Sequence, residues 1–168
     1  SKRYSIRRFF CLSVSRGGRP GVGLGRSAFL PPCRKVSRQR ITELAQHYPD
    51  EQLAVIQESL YAVTTANGGT ATNRYQNMPI PVAGKTGTAE VPPVYREDGT
   101  LNEEPTAWFA AYAPAAPTPD LPDVPDKPEI AVAVVIENAG EGSAVAAPVV
   151  RRIIELYYGI TPLAGYPW

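Results

Sequence analysis

The chain has 168 residues, 43% hydrophobic and 20% charged, which suits one globular domain with a core of ordinary size. Its formal charge of +1 hides an asymmetry. Residues 1–40 carry Lys2, Arg3, Arg7, Arg8, Arg16, Arg19, Arg26, Arg34, Lys35, Arg38 and Arg40 with no acid, whereas the remainder sets the other 6 basic side chains against all 16 acids, a net of −10. No apolar run approaches the roughly 18 residues of a membrane helix, and Phe9-Phe10-Cys11-Leu12 is shorter than a signal-peptide core. Cys11 and Cys33 are far apart and His47 is the single histidine, so no zinc pattern is present, and the acidic part holds no cysteine for redox chemistry. A chain that starts on Ser rather than Met is expected to be a processed product or a fragment.

In chain order, residues 1–40 are rich in Arg, Ser, Gly and Pro and sustain neither a helical nor a strand period. The expectation is a disordered or out-of-frame segment. A nucleic-acid arm, an anionic-lipid arm and a transit peptide are weaker readings of the same composition. A dinucleotide-binding Gly-x-Gly-x-x-Gly fails because Arg26 stands where the last Gly is needed. Order is expected from about residue 41. Pro49-Asp50-Glu51 is a helix start, with acids at the positive end of the dipole. Leu53, Ile56, Leu60 and Val63 make one apolar stripe, and Asn67-Gly68-Gly69 ends the helix, which is predicted over 50–66.

Residues 82–91 read as a strand that stops at Pro92-Pro93, and Asp98-Gly99 marks a polar hairpin turn. Residues 106–113 form a second strand. The stretch 114–129 interleaves six prolines with Asp120, Asp123, Asp126 and Glu129 and is predicted as a solvated loop. Residues 130–137 are almost continuously apolar, as in a strand buried on both faces. After a turn at 138–142, a helix is predicted over 143–158 with Val145, Val149, Ile153, Leu156 and Tyr157 inward, Pro148 in its first turns and Gly159 at its end. This order predicts an α+β fold: an antiparallel sheet of three strands with helices packed on it.

Gly84-Lys85-Thr86 suggests a phosphate loop, but residue 79 is Pro where that motif requires Gly, and the segment lies in a strand with no helix after it. The better reading is Lys-Thr-Gly on a strand bordering a serine acyl-transfer site. An edge strand there pairs with an extended substrate through its own backbone. Gly87 removes a side chain where the substrate must come close. Lys85, Thr86 and Thr88 offer positive charge and hydroxyls to a substrate carboxylate, and the backbone N–H of Thr88 is a candidate oxyanion donor. A bare three-residue match is far better explained by an ordinary surface strand with one Lys and two β-branched Thr.

The flanking sequence decides between these. The stretch from Val82 to Glu90 resembles the corresponding strand of class B penicillin-binding proteins. So does the run from Thr106 to Pro114, and so does Ile130 to Asn138 followed by Gly140, Gly142 and Ala146-Ala147-Pro148. The helix ending in Gly68-Gly69-Thr70-Ala71 is a fourth match, and the four together cover about residues 50–160. The resemblance is to the C-terminal half of the transpeptidase domain, and Glu137-Asn138 is more similar to elongation-type than to division-type members. It implies an incomplete penicillin-binding fold and a parent D,D-transpeptidase that cross-links peptidoglycan stem peptides through a serine acyl-enzyme. It also implies β-lactams as ligands, no cofactor, no nucleic acid, and a membrane-anchored parent on the outer face of the bacterial cytoplasmic membrane with elongation partners.

The family also uses an upstream Ser-x-x-Lys and Ser-x-Asn, and neither is in the chain. No Ser has Lys three positions on. Ser13-Val14-Ser15-Arg16 places an Arg there, which stays charged and is no base. Thr65-Ala66-Asn67 matches Ser-x-Asn only loosely and sits at a helix end. The chain alone is therefore expected to be inactive. The resemblance further implies two missing strands, which would leave 130–137 with an open apolar edge. A D,D-carboxypeptidase or serine β-lactamase relative, or a non-catalytic basic-tailed binding module, are the alternatives. His47 is expected on a surface loop, Trp108 and Phe109 in sheet packing, and Glu90 at a solvent-facing or groove position.

Overall fold

The computed structural model describes residues 8–14 as backbone, and residues 48–96 and 98–162 in full. His47, Cys33, most of residues 1–40 and the last six residues lie outside these ranges. The elements are β1 (Arg8–Val14), α1 (Asp50–Thr65), α2 (Thr72–Tyr75), β2 (Ala83–Ala89), β3 (Val94–Tyr95), β4 (Leu101–Asn102), β5 (Thr106–Ala113), β6 (Ile130–Ile136), a wide π turn (Gly142–Ala146) and α3 (Ala147–Tyr157). The three predicted strands and both predicted helices are present within a residue or two of their expected bounds, apart from the opening of the last helix. Pro148 has no N–H with which to close an α-turn onto Ala144, and the chain enters α3 through the wider turn instead.

The main sheet runs β1-β6-β5-β2, and β3–β4 form a separate small hairpin. β5 lies antiparallel between β2 and β6, as expected. The fourth strand was not foreseen. β1, from the basic segment, lies parallel along β6 with Arg8 opposite Ile130 and Val14 opposite Ile136. This corrects two expectations. Residues 8–14 are strand, and the outer edge of β6 is paired rather than open. The backbone groups of an apolar edge strand must find hydrogen-bond partners, and an apolar stretch that lacks alternation can still supply them.

The core lies on one face of this sheet. Ala107, Phe109, Ala111 and Ala113 of β5 alternate inward beside Ile130, Val132, Val134 and Ile136 of β6, beneath Val150 and Ile154 of α3. The ring of Tyr75 stacks on Phe109 with centroids 5.7 Å apart, and its hydroxyl donates to Ala147 O. The opposite face is more open. Trp108 is 45% exposed, and Ala133 and Val135 are only half-buried. The near-continuous apolar run of β6 is thus fully buried on one face and only partly on the other, where Ala131 is buried and Ala133 and Val135 are not.

The inward face of α3 is also rotated from expectation. Leu156 is 61% exposed, and Val149, Ile153 and Tyr157 lie at the flank of the core. The ridge facing the sheet is Ala147, Val150, Arg151, Ile154 and Glu155. Two charged residues take core positions because they satisfy each other. Arg151 Nε donates to Glu155 Oε1 at 2.7 Å, and its Nη1 donates to the carbonyls of Arg74 and Gln76 at 2.8 and 3.0 Å. Those carbonyls end the short α2, so the pair fastens α3 to the segment that leads into β2.

The stripe on α1 is weaker than its spacing suggests. Leu53, Leu60 and Val63 are half-buried and Ile56 is 49% exposed. The firmest anchor is Thr64, which is buried and whose hydroxyl donates to Val82 O at the entry to β2. The proline-rich loop contains no strand, as expected. It is ordered by successive turns, Leu121 N–H to Thr118 O and Val124 N–H to Leu121 O, each 2.9 Å.

Candidate functional site

The Lys-Thr-Gly segment occupies the centre of β2, the strand at one border of the sheet. Its inner side pairs with β5: Lys85 faces Ala110, Thr86 faces Phe109, Gly87 faces Trp108 and Thr88 faces Ala107. Among the described residues no strand lies along its outer side, so that side offers main-chain donors and acceptors to an extended ligand. Burial falls along the strand, from buried Ala83 and Gly84 to exposed Thr88 and Ala89.

Each polar side chain of the motif has a defined setting. Lys85 is exposed and its Nζ donates to Thr86 O at 2.8 Å, with no carboxylate pairing it among the described residues. The hydroxyls of Thr86 and Thr70 share a hydrogen bond of 3.0 Å, which ties β2 to the Gly68-Gly69-Thr70 loop after α1. The hydroxyl of Thr88 donates to Glu141 Oε2 at 2.8 Å and accepts from Gly142 N–H at 3.4 Å. A positive group, two hydroxyls and a strand side without a partner strand among the described residues thus lie within four residues. That set suits a carboxylate at the end of an extended peptide.

Two glycines make the arrangement sterically feasible. A Cβ on Gly87 would lie 3.1 Å from Trp108 Cβ, so the cross-strand indole occupies the space a side chain would need. A Cβ on Gly142 would strike the carbonyl oxygens of Gly87 and Trp108. Backbone therefore packs on backbone where the π turn crosses the β2–β5 pair. That contact sets the carboxylate of Glu141 over Thr88.

The structure brings Lys85, Thr86, Gly87 and Thr88 together on one strand. It adds Thr70, Glu141 and Gly142, which were legible only as parts of turns. Spacing alone carries no signal that the turn after β6 returns to Thr88, 53 residues earlier in the chain. Trp108 and Phe109 part company: Phe109 is core, at 1% exposure, and Trp108 stands on the open face opposite Gly87. Glu90 is exposed one residue beyond the strand. Among the described residues no group of His, Cys, Asp or Glu is arranged to hold a metal ion.

Comparison with known proteins finds relatives of a single family. The family profile described as the penicillin binding protein transpeptidase domain matches residues 38–155. The peptidoglycan D,D-transpeptidase MrdA of Haemophilus influenzae is 36% identical over 104 residues, covering 58% of this chain and 14% of that protein. The protein of the same name from Salmonella typhimurium is 25% identical over 108 residues, covering 60% of this chain and 16% of its own length. Among solved structures, Pseudomonas aeruginosa PBP2 in complex with WCK 5153 is 32% identical, with a TM-score of 0.46 over 60% of this chain and 18% of that one. Helicobacter pylori PBP2 in its complex with MreC is 26% identical, with a TM-score of 0.47 over 64% and 17%. The chain spans only 14% to 16% of the length of these curated relatives. With a profile match across most of its length, it belongs to the penicillin-binding protein transpeptidase family, as part of the transpeptidase domain of a class B member with elongation-type proteins among its relatives.

Proposed function

We infer that this chain supplies the substrate-binding wall of a peptidoglycan D,D-transpeptidase and has no acyl-transfer activity alone. The observation that carries this reading is Lys85-Thr86-Gly87-Thr88 on a strand along whose outer side no other strand lies among the described residues. An acyl-D-alanyl-D-alanine stem peptide, or the β-lactam that mimics it, would extend along that side. Its carboxylate would meet the Lys85 ammonium and the Thr86 hydroxyl, and the Thr88 hydroxyl once that group leaves Glu141. The N–H of Thr88 would face the oxyanion formed when the scissile carbonyl is attacked. The attacking serine must come from a Ser-x-x-Lys that this sequence lacks, so no acyl-enzyme forms here. The complete protein would work on the outer face of the cytoplasmic membrane with cell-elongation partners. Among the described residues no helix is long and apolar enough to cross a membrane.

Two measurements test this reading. Incubation with a fluorescent penicillin should leave the intact mass of the chain unchanged, and a stable covalent adduct would overturn the missing-nucleophile argument. Adding diacetyl-lysyl-D-alanyl-D-alanine should shift the amide resonances of residues 85–88, and Lys85→Ala should abolish the shift. Shifts confined to other regions would remove the binding role from β2.

A further inference from the structure

A hollow of about 400 Å³, largely open to solvent, lies between the proline-rich loop and the end of α3, lined by Asp123, Val124, Glu129, Tyr157 and Tyr158. That volume falls within the range of small-molecule sites. It is separate from the Lys-Thr-Gly strand. Glu129 N–H and Tyr158 O–H both donate to Ala113 O, at the far end of β5 from the Thr88 pairing. Six strand residues at about 3.4 Å each put the two places roughly 20 Å apart.

The lining has a definite chemistry. Tyr157 and Tyr158 meet edge to face, with centroids 4.9 Å apart at 87°. Burial, then the neighbouring carboxylate of Glu129, push the Tyr158 hydroxyl well above the usual phenol range, so it stays neutral and committed to Ala113 O. Asp123 and Glu129 form no ion pair among the described residues. The loop that carries Val124 is held by its turn bonds, and Pro114 and Pro128 at its two ends are buried. Two tyrosine rings and two carboxylates around an open hollow bring together the two attractions that select organic cations, aromatic surface and opposite charge.

We propose that this hollow is a binding site for an organic cation, an alkylammonium or guanidinium group. The rings would hold the apolar stem and the carboxylates the charged head. Two sources share that chemistry. One is a free amine or a basic side chain of another molecule. The other is this chain's own basic stretch, in which Lys2, Arg3 and Arg7 precede β1 in the sequence.

The test is calorimetric titration of the full chain with n-butylammonium and n-butylguanidinium, with n-butanol as the uncharged control. The cations should bind saturably and at least about tenfold more tightly than the alcohol, a margin of some 1.4 kcal/mol. The isosteric pair Asp123→Asn and Glu129→Gln, both on the loop, should weaken binding several-fold with an unchanged circular dichroism spectrum. The variant Lys2→Gln/Arg3→Gln/Arg7→Gln separates the sources. Tighter binding by that variant supports the site with the chain's own arm as competitor, and unchanged binding supports the site with a free cation. Equal affinity for butanol, indifference to the loop substitutions, or no binding by either the natural chain or the arm variant would overturn the proposal.

Discussion

The two flanks of β5 are built for opposite purposes. Toward β6 and α3, Phe109, Val132, Val134, Val150 and Ile154 are almost fully buried, and even the charged pair Arg151–Glu155 is enclosed. Toward β2, the residues with chemistry to offer, Lys85 and Thr88, are exposed, and the strand is held by one neighbour and a few hydroxyl contacts. An edge left free for a ligand cannot also be an edge that stabilises the fold. The lesson is that the β6–α3 flank supplies rigidity, so that the motif can remain open.

That contrast is most severely tested at the buried pair. Glu155→Ala leaves the Arg151 guanidinium enclosed without its carboxylate, and should cost about 3–5 kcal/mol in urea unfolding. Phe109→Ala removes the ring under Tyr75 and should cost a similar 3–5 kcal/mol. If either variant unfolds at the same urea concentration as the natural chain, the β6–α3 flank is not the source of stability. Gly142→Ala forces the π turn away from the Gly87–Trp108 pair, a strain of about 1–3 kcal/mol by analogy with overpacked cores. It should also broaden the Thr88 amide resonance as the Glu141 contact loosens.

Smaller effects should appear on the open flank. Thr88→Val keeps the shape and removes one hydroxyl, at a cost of about 1 kcal/mol. Lys85→Ala should change stability by less than about 0.5 kcal/mol while eliminating the peptide-induced shifts described above. A large loss of stability in Lys85→Ala would erase the distinction between the flanks. The alkaline limb of stability probes the far end of the sheet. The proton on Tyr158 is held more tightly in the folded chain than in the unfolded one, whose phenol titrates near 10.0. Stability from this group is therefore complete below pH 10 and declines as pH rises above it. Tyr158→Phe should flatten that decline in pH-dependent thermal melts.

Much of the fold was legible because local rules and the packed structure agree. The alternating run Thr106–Ala113 and the Lys-Thr-Gly strand appear where their patterns put them, and α1 begins at the residue its Pro-Asp-Glu start indicates. The failures share one cause. Arg151 and Glu155 are missing from the predicted inward set because polarity alone does not reveal a partner four residues away or the carbonyls of Arg74 and Gln76. Phe9-Phe10-Cys11-Leu12 read as structureless because strand pairing is a property of two segments, and β6 lies about 120 residues further on.

The sequence by itself determined the family, the antiparallel core of three strands and the placing of Lys85-Thr86-Gly87 on a strand, since each rests on short-range pattern. It also determined that no Ser-x-x-Lys is present, which is a matter of reading residues. Only the tertiary structure decided that Thr70, Glu141 and Gly142 gather around Thr86 and Thr88, that Trp108 faces Gly87, and that two tyrosines and two carboxylates border an open hollow at the opposite end. Those contacts join segments far apart in the chain. Their formation depends on closing long loops and on backbone packing that no local propensity encodes.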